Sequence, residues 1–230
     1  MKEFNVKFGI IGIDHRHIYT QAQFLIELGA ELVGWYTEGS PTTLDGFIKR
    51  FPKVKRFTDP RTLLEDQNIQ VILTSAVPSE RAKISISAMK HGKDVMSDKP
   101  GCLSFSDLEQ LRQTVQQTGR IWSIDFSERF EVPAVTLASQ LVSEGAIGDV
   151  IHTLGLGPHR LNANSRPNWF FDPNKNGGIL ADIGSHQIDQ FLYFTKSERA
   201  EITLASIRNM GHKEFTNFSD FGEISLRSEK

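Results

Sequence analysis

Over roughly the first 125 residues, short apolar runs alternate with longer amphipathic segments. The runs VKFGIIG (6–12), AELVGWY (30–36), QVILTSA (70–76), KDVMSD (93–98) and IWSIDF (121–126) each predict a strand. Between them, helical patterns fall near 17–28, 42–50, 60–66, 79–91 and 104–118. Strands alternating with helices predict a parallel sheet, and right-handed crossovers wind the helices onto both of its faces. The first half therefore reads as a doubly wound α/β domain over 1–125.

Beyond residue 130 the rhythm changes. A helix near 134–144 leads through the turn GAIG to a long expected strand, DVIHTLGLG (149–157). An irregular polar and aromatic loop then runs from His159 to about Asn176, and AEITLASIRNM (200–210) and FGEISLRSE (221–229) read as two further strands. Residues 126–230 thus predict a second, α+β domain with an open sheet, and the chain carries no internal repeat or low-complexity segment. Three strands and one helix lie near the lower limit of independent stability. The expectation is that this domain packs on the first or on a partner chain, or that the sequence is a shortened form of a longer protein.

The stretch GGILADIGSHQIDQFLYF (177–194) has an apolar helical pattern with three polar interruptions. At about 100° per residue, Asp182, His186 and Asp189 lie on one face, while Ile183, Ile188, Phe191 and Leu192 turn toward a core. Three readings are open: a capped helix with a solvated face, a metal site, or an acid–base pair. A metal site lacks a third convincing ligand and leaves the first half of the chain unexplained, so no metal is expected.

Composition narrows the function. With 26 basic and 28 acidic residues among 230, a formal net charge of -2 and 39% hydrophobic residues, nothing pulls the chain toward nucleic acid or a membrane. The single cysteine, Cys102, rules out an intrachain disulfide. No apolar run is long enough to span a bilayer, and the N-terminus enters a strand pattern with no leader, so a cytoplasmic protein is expected.

In open parallel sheets, ligands bind beyond the carboxyl ends of the strands, and the first strand-to-helix turn holds the dinucleotide phosphates. That turn is FGIIGIDHRHIY, where Asp14 and His17 stand at the second and third glycine positions counted from Gly12. Asp14 places a carboxyl where a phosphate would approach, and His15 and Arg16 could offset it. An ordinary Asp-capped turn reads equally well. Thr37 follows the second strand where an acid would mark a preference for NAD, so NAD against NADP stays open. Lys99 lies at the end of the fifth strand, before Pro100, which fixes φ and favours a cis bond.

With SDKPGCLSFSDLEQL, SERFEVPAVTLASQLVSEGAIGDV and NGGILADIGSHQIDQFLYF together, the chain resembles the Gfo/Idh/MocA family of glucose-fructose oxidoreductase and inositol dehydrogenase along almost its whole length. DKP is similar to the family's EKP motif at Asp98 and Lys99, and GGILADIGSHQID to its GGGxxxDxGxHxxD motif. The sequence departs from the family in the first turn and after Pro78, where Ser79 and Ala82 stand in place of the usual Asn and His.

The resemblance implies a Rossmann domain binding NAD or NADP, followed by an α+β domain that binds substrate and forms a homo-oligomer through its sheet. The implied activity is hydride transfer between nicotinamide and a hydroxyl or carbonyl of a sugar, cyclitol or related polyol. A non-catalytic dinucleotide- or sugar-binding homologue is the alternative. By the same resemblance, Lys99, His186 and Asp182 are the catalytic residues. The cofactor meets Gly12, Ile13, Asp14, His15, Arg16, His17, Thr37, Pro78, Asp98 and Lys99. Arg160, Asn162, Trp169, Asp182 and His186 meet the substrate, whereas Phe170 and Phe171 anchor the loop.

Overall fold

A computed structural model describes residues 6–229. The N-terminal residues 1–5, where no leader is expected, and residue 230 lie outside them. The described residues form two compact units that divide between Asp125 and Phe126.

The first unit is a six-stranded parallel sheet of β1 (Lys7–Ile11), β2 (Glu31–Tyr36), β3 (Lys55–Arg56), β4 (Val71–Thr74), β5 (Asp94–Asp98) and β6 (Trp122–Asp125). Its spatial order is β3-β2-β1-β4-β5-β6, with the reversal between β1 and β4 that marks dinucleotide-binding sheets. Helices α1 (Ile18–Glu27), α2 (Leu44–Arg50), α3 (Arg61–Glu65), α4 (Pro78–Lys90) and α5 (Phe105–Thr118) connect the strands. The apolar runs predict every strand except the two-residue edge strand β3, which is too short and too basic to show a pattern.

Because side chains alternate along a strand, β1 and β4 feed two cores. Phe8, Ile10 and Leu73 join Ile13, Ile18, Ala22, Trp35 and Phe47 on one face. Ile11 and Ile72 join Leu63, Leu64, Ile69, Met89 and Leu111 on the other. Helix α5 carries its own boundaries: the Ser104 side chain accepts from the Asp107 amide at its start, and Gly119 closes it with φ 65°.

In the second unit, α6 (Ser127–Phe130) and α7 (Pro133–Ser143) precede a long irregular stretch. Then come α8 (Pro173–Asn176), α9 (Ser185–Thr195) and an antiparallel pair, β7 (Ala200–Arg208) and β8 (Phe221–Ser228). The expected strand over 149–157 does not form. A strand needs a partner ladder, and among the described residues β7 and β8 pair only with each other, leaving Ile151, Leu154 and Leu156 exposed. The sheet therefore has two strands rather than three. Loop 159–176 is fastened to loop 209–220 by aromatic contacts, with Phe171 stacked 3.9 Å from Phe215 and Phe170 5.9 Å from Phe218. Among the described residues of this unit, Phe170 is the one buried apolar side chain, so its core is shallow.

Phe47 is 0% exposed and meets Trp35 and Phe51 at ring separations of 5.0 and 4.9 Å, whereas Phe105 is 92% exposed. Phe47→Ala should lower the stability of the first unit by about 3–5 kcal/mol. Phe105→Ala should change it by less than about 0.5 kcal/mol. Urea midpoints of the two variants measure the difference.

Candidate functional site

The first turn is shaped by one glycine. Gly12 has φ 85°, donates its amide to Tyr36 O at 2.8 Å and accepts from the Ser75 amide at 3.1 Å, so it is fastened to the ends of β2 and β4. A Cβ there would collide with the Ala76 side chain and lie 2.9 Å from its Cα. Ile13 is buried, and its carbonyl accepts from the Thr43 hydroxyl. Burial raises the half-buried Asp14 carboxyl above its usual range, against the lowering effect of backbone hydrogen bonds and Arg81. Arg16 is exposed, and His17 leads into α1, its carbonyl accepting from the Gln21 amide at 3.0 Å.

Asp98, wholly buried at the end of β5, gathers the turn around itself. Its Oδ1 lies 2.9 Å from His17 Nδ1, and its Oδ2 lies 2.9 Å from both His15 Nδ1 and Arg81 Nη2. Burial alone would raise this carboxyl, but Arg81 first, then the imidazoles of His15 and His17, hold it well below the carboxylate range. For His15, burial dominates and pushes its pKa down to about 4 against the attraction of Asp98. His15, His17 and Asp98 are residue types that ligate metals, with their atoms within 4.8 Å of one another. The guanidinium on the same carboxylate already supplies the positive charge that a cation would bring.

Arg81 also fixes the loop after β5. Its Nη1 donates to Asp98 O at 3.0 Å, to Pro100 O at 3.1 Å and to Lys99 O, while Nε donates to Ala76 O at 2.8 Å. Lys99 is buried and the Lys99–Pro100 bond is cis. Beside it, Gln21 bridges the Ser75 hydroxyl and Asp125 Oδ2, both at 2.8 Å, and Asp125 pairs with Asp98 across β5 and β6. Sequence reasoning passed over Arg81 and Gln21. The available signal was a charged residue one position after Glu80 on a helix whose neighbours Ala82, Ser85 and Ala88 are small enough to be buried.

The turn tests well against a dinucleotide. Gly12 keeps the backbone close-packed, and buried Thr37 Oγ1, at the end of β2, has no hydrogen-bond partner among the described residues. That position suits a ribose hydroxyl. Pro78 begins α4 and is buried.

In the second unit, a π turn over Leu180–Gly184 precedes α9, so the stretch from 177 is not one regular helix. Asp182 lies in the wide turn, a feature frequent at functional sites. His186 is the buried residue of α9, at 2% exposure, and its ring meets Phe126 edge-on at 6.2 Å. The apolar Ile183, Ile188, Phe191 and Leu192 are only partly buried. Asp189 is neither solvated nor free: Arg129 Nε and Nη2 donate to its two oxygens at 2.5 and 2.9 Å. Exposed Arg160 lines a pocket of about 450 Å³ with His159, Ile179 and Asp220. Exposed Asn162 and half-buried Trp169 lie outside its lining.

A doubly wound domain with a Gly12 turn, an open ribose position and a clamped lysine loop is a dinucleotide-binding domain, here followed by an α+β unit. Residues 6–126 match the oxidoreductase family with an NAD-binding Rossmann fold, and residues 135–230 match the GFO/IDH/MocA C-terminal domain. The chain belongs to the Gfo/Idh/MocA oxidoreductase family.

Among its relatives, scyllo-inositol 2-dehydrogenase (NAD(+)) of Bacillus subtilis is 30% identical over 169 residues, covering 72% of this chain and 46% of that protein. Levoglucosan dehydrogenase of Pseudarthrobacter phenanthrenivorans is 28% identical over 159 residues, covering 68% and 40%. A crystal structure of an Erwinia carotovora atroseptica SCRI1043 protein named as an oxidoreductase is similar at TM-score 0.95 and 37% identity, covering 98% of this chain and 67% of that one. The chain thus spans less than half the length of those two curated relatives. No helix among the described residues is long and apolar enough to cross a membrane.

Gly12→Ala should cost about 2–4 kcal/mol, combining a positive φ with overpacking against Ala76, and should weaken NADH binding in parallel. Paired unfolding and fluorescence titrations check both. His15 is held neutral in the folded state, so the unfolded chain takes the proton first as pH falls. The contribution of its neutral form is intact above about pH 6.5 and is lost down to about pH 4. It amounts to on the order of 3 kcal/mol. Urea midpoints at pH 7 and 4.5 should show this loss, and His15→Asn should shrink it.

Proposed function

We propose that the chain is an NAD(P)-dependent oxidoreductase acting on a hydroxyl or carbonyl of a sugar, cyclitol or related polyol. The observation that carries this reading is the buried clamp on Asp98, Lys99 and Pro100, which fixes a lysine at the carboxyl edge of an NAD-binding sheet. The relatives named for inositol and levoglucosan oxidation support the substrate class.

The cofactor-facing set is Gly12, Ile13, Asp14, His15, Arg16, His17, Thr37, Pro78, Asp98 and Lys99. When bound, nicotinamide supplies the hydride acceptor or donor. Lys99 stabilises the alkoxide that develops as the carbinol is oxidised, a charge effect among the largest available to an enzyme. His186 accepts the hydroxyl proton at a ring nitrogen, since neutral imidazole is poised for this near neutral pH. Asp182, in the π turn just before α9, orients that ring or a second substrate hydroxyl. Arg160, Asn162 and Trp169 bind the remainder of the polyol, with Trp169 available for stacking on a sugar face. We place the protein in the cytoplasm, as a homo-oligomer through the sheet whose Ile202, Leu204 and Ile207 are exposed.

NADH and NADPH titrations followed by nicotinamide fluorescence should show saturable binding of at least one. Lys99→Met and His186→Gln should each lower kcat by about 10²–10⁴ on the best polyol of a broad panel, with little change in the urea midpoint. Cofactor binding without turnover on any polyol would favour the non-catalytic homologue instead.

A further inference from the structure

The first turn lacks the glycine pattern through which backbone amides usually approach a pyrophosphate, and the amide nearest that role is taken, since His15 N donates to Ser75 O at 2.8 Å. His17 stands at the third glycine position and His15 follows Asp14 at the second, and their two imidazoles lie nearly at right angles with ring centres 4.2 Å apart. Both Nδ1 atoms face the wholly buried carboxylate of Asp98. His17 Nδ1 donates to Asp98 Oδ1, which fixes that ring's tautomer and turns its Nε2 away, whereas His15 Nδ1 lies 2.9 Å from Oδ2 as an ion-pair contact without hydrogen-bond geometry. The side chains of His15 and His17 remain 16% and 22% exposed, whereas Asp98 is 0% exposed.

We propose that His15 and His17, aimed by Asp98, replace the missing amide cradle and bind the cofactor's pyrophosphate as imidazolium groups, so that cofactor binding takes up protons from solvent. A neutral Nε2 has a lone pair and repels a phosphate oxygen. A protonated one donates a charge-assisted hydrogen bond to it. The protonated rings would face one another, Asp98 on β5 and, for His15, the lysine of the β5 loop, with Arg81 of α4 on the same carboxylate. Arg81 already balances Asp98, so the free protein has little reason to charge His15, whose burial depresses its pKa. An arriving pyrophosphate supplies the missing counter-charge. The proposal rests on the chain binding NAD(P) and extends that reading to how the phosphates are held.

The test is NADH binding to the whole chain from pH 8 to 5.5, with adenosine as the phosphate-free probe. Calorimetry near pH 6 in buffers of different ionisation enthalpy counts the protons. The dissociation constant for NADH should tighten roughly tenfold over this range, with net proton uptake, while adenosine binding stays level. In the His15→Asn/His17→Asn variant, the amide at 17 can keep the bond to Asp98 and the amide at 15 keeps a polar group beside it, but neither offers anything at Nε2. Its NADH affinity at pH 5.5 should fall about tenfold and lose its pH dependence. NADH binding by the natural sequence without proton uptake would overturn the proposal, whether or not the variant folds. So would a folded variant that binds NADH as tightly, with the same pH profile. No saturable NADH binding at any pH would remove the cofactor reading along with it.

Discussion

The ion pair between Arg81 and Asp98 organises the first unit's ligand-facing edge. Both side chains are essentially without solvent, at 1% and 0% exposure. Each charge alone would be expensive there, and removal of one partner from such a pair typically costs about 3–5 kcal/mol. The pair is tolerated because the hydrogen-bonding capacity around it is spent. The guanidinium reaches four carbonyls as well as the carboxylate, and the carboxylate also faces two imidazoles. One buried charge therefore positions the β5 loop, the start of α4 and the first turn together.

The sheet was legible because burial on both faces writes itself into the strands as short apolar runs, as KFGII and VILT show. The edge strand β3 escaped, since a two-residue segment of Lys55 and Arg56 has no periodicity. Residues 149–157 misled for the opposite reason. Their alternation of Val150, His152, Leu154 and Leu156 is good strand grammar, but whether a strand forms depends on a neighbour that local pattern does not encode.

For the site, resemblance identified residue types and chemistry identified their company. Asp98 and Lys99 stand out in DKP, but nothing local to that motif says that its acid is shared with residues 15, 17 and 81. The departures at Asp14 and His17 read as damage to a glycine fingerprint until the carboxylate behind His15 and His17 is seen. The stripe of Asp182, His186 and Asp189 was drawn on an ideal helix. The π turn breaks that geometry, and Asp189 proves to be half of an ion pair with Arg129, a partner 60 residues away that helical periodicity cannot reveal.

Sharing of the Asp98 carboxylate among three side chains also constrains how such a turn can change over time. Returning His17 to glycine by itself would strip one oxygen of a wholly buried carboxylate of its donor, and replacing Arg81 by itself would strand the charge. Substitutions at 15, 17, 81 and 98 should therefore be strongly non-additive, as residues of one network are. The routes between this turn and a glycine-rich one then run through concerted changes at several positions, so the variant turn is self-preserving once established.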